Sequence, residues 1–85
     1  SQFNLDLLAK LASQEEAQKN YGKASMYYEA ILELEPYPKH RFEQYKRLAV
    51  CYYKSGYTTL AKRINEKIYK MPESNPTNLI PERGI

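Results

Sequence analysis

Leu5, Leu8, Leu11 and Ala12 recur at the i, i+3 and i+4 spacing that puts side chains on one face of a helix, and Ser1 or Asn4 is placed to cap it. Gln14 to Asn20 is polar, and the pattern predicts a stop near Asn20, where asparagine tolerates a left-handed turn and Tyr21-Gly22 follows. A second helix from Gly22 to Glu35 turns Ala24, Tyr28, Ile31 and either Leu32 or Leu34 inward, with Lys23, Met26, Glu29 and Glu33 outward; Pro36 and Pro38 stop it. The third begins at Lys39 or His40 and ends at Ser55, before Gly56. The fourth starts at Thr58 or Thr59, carries Ala61, Ile64, Ile68 and Met71 on one side, and stops before Pro72. The expected fold is all-α, four antiparallel helices in two hairpins over residues 1–72. Residues 73–85 hold Pro76, Pro81, Gly84 and no helical period, and read as an extended tail. Leu79, Ile80 and Ile85 make that tail apolar enough to pack on the open face of the fourth helix or on a second molecule.

The two helix pairs repeat each other. Ala24 and Ala61 align at a spacing of 37 residues, and around them residues 5–36 and 42–73 form two units. Leu8, Leu11 and Ala12, then Ala24, Tyr28, Ile31 and Pro36, stand in the first; Tyr45, Leu48, Ala49, Tyr52 and Gly56, then Ala61 and Ile68, stand in the second. This arrangement of small residues, aromatics and a terminal proline resembles the tetratricopeptide (TPR) repeat of about 34 residues. Glu15 and Asn65 occupy positions where the family carries an aromatic. The surplus over the family period falls at Pro36-Tyr37-Pro38-Lys39 and predicts a lengthened loop between units. Two repeats are fewer than the three or so that such stacks need, so a partner, self-association or flanking sequence is implied. The resemblance also implies function, since TPR proteins bind other proteins.

Charge is uneven along the chain. Residues 1–36 hold three Lys against six acids, −3, whereas residues 37–72 hold nine Lys or Arg against Glu43 and Glu66, +7. Such polarity draws an acidic partner to the second unit, or stacks copies head to tail. The resemblance places a concave groove on Asp6, Ala9, Lys10, Ser13 and Glu16 of the first unit and on Glu43, Lys46, Arg47, Val50, Tyr53 and Lys54 of the second. Lys46, Arg47, Tyr53 and Lys54 then form one basic, aromatic patch suited to a carboxylate-bearing peptide; the plain alternative is a solvated helix face. Chaperone-tail binding is not expected, because Ala9, Ser13 and Arg47 stand where that clamp requires Lys and Asn.

Chemistry is sparse. With one His and one Cys, no phosphate-binding glycine loop and no usable acid pair, catalysis, metal and cofactor are not expected. Cys51 reads as a small buried hydrophobe and His40 as a helix-start surface residue. A nucleic-acid reading rests on basic residues interleaved with Tyr45, Tyr52, Tyr53 and Tyr57. Against it, the repeat pattern hides the Tyr45 and Tyr52 rings, so no nucleic acid and no small-molecule substrate is expected. Most of the nine tyrosines are expected to fill grooves between helices. The run Leu48-Ala49-Val50-Cys51-Tyr52-Tyr53-Lys54-Ser55-Gly56-Tyr57 after a Pro-Tyr-Pro turn is also similar to the BamD-like TPR lipoproteins of bacterial outer-membrane β-barrel assembly. That resemblance implies an accessory assembly subunit with a lipidated N-terminal Cys and more repeats. No apolar run reaches the length of a membrane span. A first residue other than Met suggests a trimmed N-terminus, which leaves cytoplasm and a periplasmic membrane anchor both open.

Overall fold

The computed structural model describes residues 1–74, and the tail positions Leu79, Ile80 and Ile85 lie outside them. The described chain is all-α: α1 (Gln2–Ala17), α2 (Tyr21–Leu34), α3 (Pro38–Lys54) and α4 (Thr58–Lys70), then a 3-10 turn at Pro72–Ser74. Each helix packs on its neighbours in the chain. The Ser1 hydroxyl caps α1 by accepting from the Asn4 N–H at 3.5 Å.

Three boundaries differ from the sequence expectation. Lys19, not Asn20, takes the left-handed conformation after α1, with φ 64°. Asn20 instead precedes α2; its backbone N–H donates to the Glu15 carbonyl at 2.8 Å and its side-chain amide to Glu15 Oε1 at 2.9 Å. Pro38 does not lie in a loop but opens α3, where its fixed φ suits a first helical position and its missing N–H costs nothing. Consequently the loop between units is not lengthened. Gln18–Asn20, Glu35–Tyr37 and Ser55–Tyr57 all span three residues, and the surplus is spent on helix.

The turn inside each helix pair is built the same way. Lys19 and Gly56, 37 residues apart, are the two residues with positive φ among the described residues. Lys19 N–H donates to Glu16 O and Gly56 N–H to Tyr53 O; Asn20 N–H donates to Glu15 O and Tyr57 N–H to Tyr52 O. The turns after α1 and α3 thus share one backbone hydrogen-bond pattern.

The core consists of Leu5 and Ala12 from α1, Ala24, Tyr28 and Ile31 from α2, Leu48, Cys51 and Tyr52 from α3, and Ala61 from α4, with Leu8, Ala9, Leu32 and Ile64 against its edge. Fully buried alanines at Ala12 and Ala24 let α1 and α2 approach closely. Leu34, the alternative to Leu32, is exposed. Between α2 and α3, the Arg41 guanidinium donates to the carbonyls of Leu32 (2.6 Å) and Glu35 (3.0 Å), satisfying acceptors that α2 leaves free at its end. Of the nine tyrosines, Tyr28 and Tyr52 are buried, Tyr21, Tyr27 and Tyr45 half-buried, and Tyr37, Tyr53, Tyr57 and Tyr69 exposed.

Two tests follow from this geometry. Lys19→Gly is expected to raise the thermal midpoint, because a non-glycine residue held left-handed costs roughly 1–2 kcal/mol. Gly56→Ala is expected to lower it by a similar amount, since an added Cβ meets no atom within 4 Å and only the backbone penalty acts. Separately, Ala24→Leu and Ala61→Leu should each overpack a helix contact and cost about 1–3 kcal/mol or more in chemical denaturation.

Candidate binding grooves

Open grooves run along the helices, two of them beside the residues expected to bind. The first, about 540 Å³, is lined by Ala9, Ser13, Glu16 and Ala17 of α1, Tyr28 of α2, and Gln44 and Arg47 of α3. The second, about 510 Å³, is lined by Lys46, Ala49, Val50, Tyr53 and Lys54 of α3 with Asn65 and Ile68 of α4. The residues expected in a single groove are thus divided between two. Lys10 is exposed on α1 and lines neither.

In the first groove the polar groups satisfy one another. Glu16 forms an ion pair with Arg47 across α1 and α3 and accepts a hydrogen bond from the Tyr28 hydroxyl at 2.7 Å. Burial pushes the Tyr28 phenol above its ordinary pKa, helped by Cys51, while a hydrogen bond from Ser13 acts the other way. Gln44 Oε1 is buried with no hydrogen-bond partner and is the acceptor left open in this groove. Arg47 therefore does not join the basic patch expected for it: its guanidinium is held against Glu16, where it ties α3 to α1.

The second groove keeps its charge available. Lys46 pairs with Glu43 at 3.0 Å, both side chains well exposed, and lies 4.7 Å from the Phe42 ring centre. The Lys54 ammonium sits 5.0 Å from the centre of the Tyr21 ring. Tyr53, between them in sequence, is 69% exposed. Ala49, Val50 and Ile68 supply an apolar floor. An acidic or amphipathic segment entering here meets two cations, a tyrosine and aliphatic surface together.

Tyr52, Cys51 and His40 line neither groove. Tyr52 donates its hydroxyl to Glu29, linking α3 to α2, and burial together with that carboxylate raises its pKa strongly. Burial likewise pushes the Cys51 thiol up, against the smaller opposing pull of Arg47 and Lys54. His40 Nδ1 lies 3.2 Å from Glu35 Oε1 beside the α2–α3 turn. Among the described residues no group of three or more His, Cys, Asp or Glu is placed to hold a metal ion. No helix of the described residues is long and apolar enough to cross a membrane. The repeat resemblance pointed to Lys46, Val50, Tyr53 and Lys54; it did not point to Asn65 and Ile68, contributed by α4, which the sequence offered only as a repeat position and as a residue of an apolar helix face.

Comparison with protein-family models, with curated proteins and with solved structures gave no match.

Two outcomes are expected from this arrangement. Arg47→Glu places two acids together across α1 and α3 and should destabilise by about 1 kcal/mol, allowing for partial exposure of the pair, whereas Lys54→Glu should leave the thermal midpoint nearly unchanged. The raised phenol pKa values of Tyr28 and Tyr52 give stability that is present below the ordinary tyrosine range and lost as pH rises through their folded values. Absorbance titration near 295 nm should show late phenol ionisation that Tyr52→Phe and Tyr28→Phe each reduce, and the thermal midpoint should fall above about pH 10.

Proposed function

We propose that this chain is a protein-binding module of tetratricopeptide type, two helix pairs acting as an adaptor or scaffold subunit through an exposed groove, without catalysis. The second groove carries the reading: Lys46, Tyr53 and Lys54 stand over Ala49, Val50 and Ile68, a combination of charge, exposed aromatic and apolar floor suited to a partner segment bearing carboxylates. The identical turn geometry at Lys19 and Gly56 supports the repeat assignment. A partner protein is favoured over nucleic acid because, of the four tyrosines that base stacking would use, only Tyr53 and Tyr57 are exposed. Tyr52 is buried, and Tyr45 is half-buried with Arg41 and Lys67 at 5.6 and 5.7 Å from its ring centre.

The test uses the wild-type chain and a Lys46→Glu/Lys54→Glu variant as paired baits in extracts of the source organism, with bound proteins identified by mass spectrometry. The expected result is a partner that is retained by the wild type, lost from the variant by about tenfold or more, and weakened by rising salt. A partner held equally by both baits would remove the second groove from the binding site.

A further inference from the structure

The two grooves are one groove repeated. Ala9, Ser13, Glu16, Ala17 and Tyr28 of the first correspond, 37 residues on, to Lys46, Val50, Tyr53, Lys54 and Asn65 of the second. The first is closed on its far side by Gln44 and Arg47 of α3, the helix that covers α2. In the second, α3 and α4 form the described lining, and the corresponding wall would come from a helix lying on α4 as α3 lies on α2. The surface for such a helix is present. A further cavity of about 450 Å³ runs along α4, lined by Asn65, Glu66, Ile68, Tyr69 and Ser74. The first four correspond to Tyr28, Glu29, Ile31 and Leu32 of α2. Ile31, in the core, is 2% exposed, whereas Ile68 is only half-buried and Tyr69 is 87% exposed.

We infer that this face seats a helix of a partner protein in the register of α3 on α2, with an apolar side chain at the place of Gln44 and a carboxylate three residues later at the place of Arg47. The inference rests on the groove-binding reading above and adds the form and chemistry of the partner. The apolar residue follows from its surroundings, since Val50 replaces Ser13 and the neighbouring groove wall includes Ile68. The carboxylate follows from reversed charge. In the first groove an acid, Glu16, lies between Ala9 and Ala17 and is met by a base from the covering helix; in the second, Tyr53 lies between Lys46 and Lys54 and calls for an acid. The exposed Lys46–Glu43 pair is cheap to exchange. Lys62, Arg63, Lys67 and Lys70, exposed on α4 against the single acid Glu66, steer an acidic helix to this end. A second copy of the chain does not fit: α1 in that register would bring Lys10 between Lys46 and Lys54, and Glu15 against Glu66.

The experiment uses two lactam-bridged helical peptides of the length of α3, alike except that one carries Leu, Glu and Leu at the places of Gln44, Arg47 and Leu48 and the other Leu, Arg and Leu. Each is titrated into the 85-residue chain by fluorescence anisotropy at two salt concentrations. The Glu peptide is expected to bind about tenfold more tightly than the Arg peptide or better, the preference to reverse in Lys46→Glu/Lys54→Glu, and both affinities to fall in Ile68→Asp, with helicity checked by circular dichroism. Equal affinities, no binding of either, or a preference that survives the double change would overturn the inference. Binding that emerges only when residues 75–85 are deleted would overturn it by giving the face to the chain's own C-terminal segment. Sedimentation showing a dimer that Ile68→Asp dissociates would overturn it in favour of a second copy. If the cellular partner still depends on Lys46 and Lys54 while the peptides fail, groove binding stands and the helical seat alone falls.

Discussion

The seating of α3 on α2 is the contact on which the rest of this small structure depends. A single helix pair buries one side of its second helix and leaves the other in water, so stability has to come from the next element laid over it. Ile31 of α2 lies almost wholly out of solvent in the core that α1, α2 and α3 share, a burial of roughly 1.5–3 kcal/mol for a side chain of this size. Polar contacts then set the register. Arg41 reaches the free carbonyls at the end of α2, Tyr52 reaches Glu29, and Arg47 reaches past α2 to Glu16 on α1. A slide of α3 along α2 would break all three together. Hydrogen bonds from a charged donor are worth more than neutral ones, so Arg41 holds this position more firmly than its half-exposed surface suggests.

The same contact explains why one groove is quiet and the other available. Once α3 has carried Arg47 over Glu16, the first groove has matched its main charges internally and holds a single unmet acceptor on Gln44. The second groove has lysines in place of two alanines and lacks such a cover among the described residues. Its availability is a consequence of position, at the end of the stacked elements, more than of any special residue. Only Ala61 of α4 is buried, against four residues of α2. An apolar face left in that state, flanked by cations, is the physical basis for reading the chain as a binding module.

Much of the architecture was legible in the residue pattern. Apolar spacing located four helices, and the small residues Ala24 and Ala61, singled out by their alignment, are both buried, because close helix contacts admit only small side chains. Turn chemistry was less legible. Asn20 was the natural choice for a left-handed residue, yet Lys19 holds that conformation, since the backbone bonds from Lys19 and Asn20 to Glu16 and Glu15 determine which residue must bend back. Pro38 read as a helix stop because proline does stop helices. It also starts them, and only the packing of α3 decided between the two.

The candidate site divides in the same way. Residue types alone determined that the second half of the chain is basic, that Lys46, Tyr53 and Lys54 share a helix, and that the chemistry of an enzyme site is sparse. They could not determine which cations remain available, because that depends on partners distant in sequence: Arg47 and Glu16 are brought together only when α3 lies across α1 and α2. Nor could they show that one groove is two, or that Asn65 and Ile68 complete the second. Periodicity reports what a helix buries, and tertiary structure decides against what, because charge pairing and groove closure arise between elements whose relative height no local pattern records.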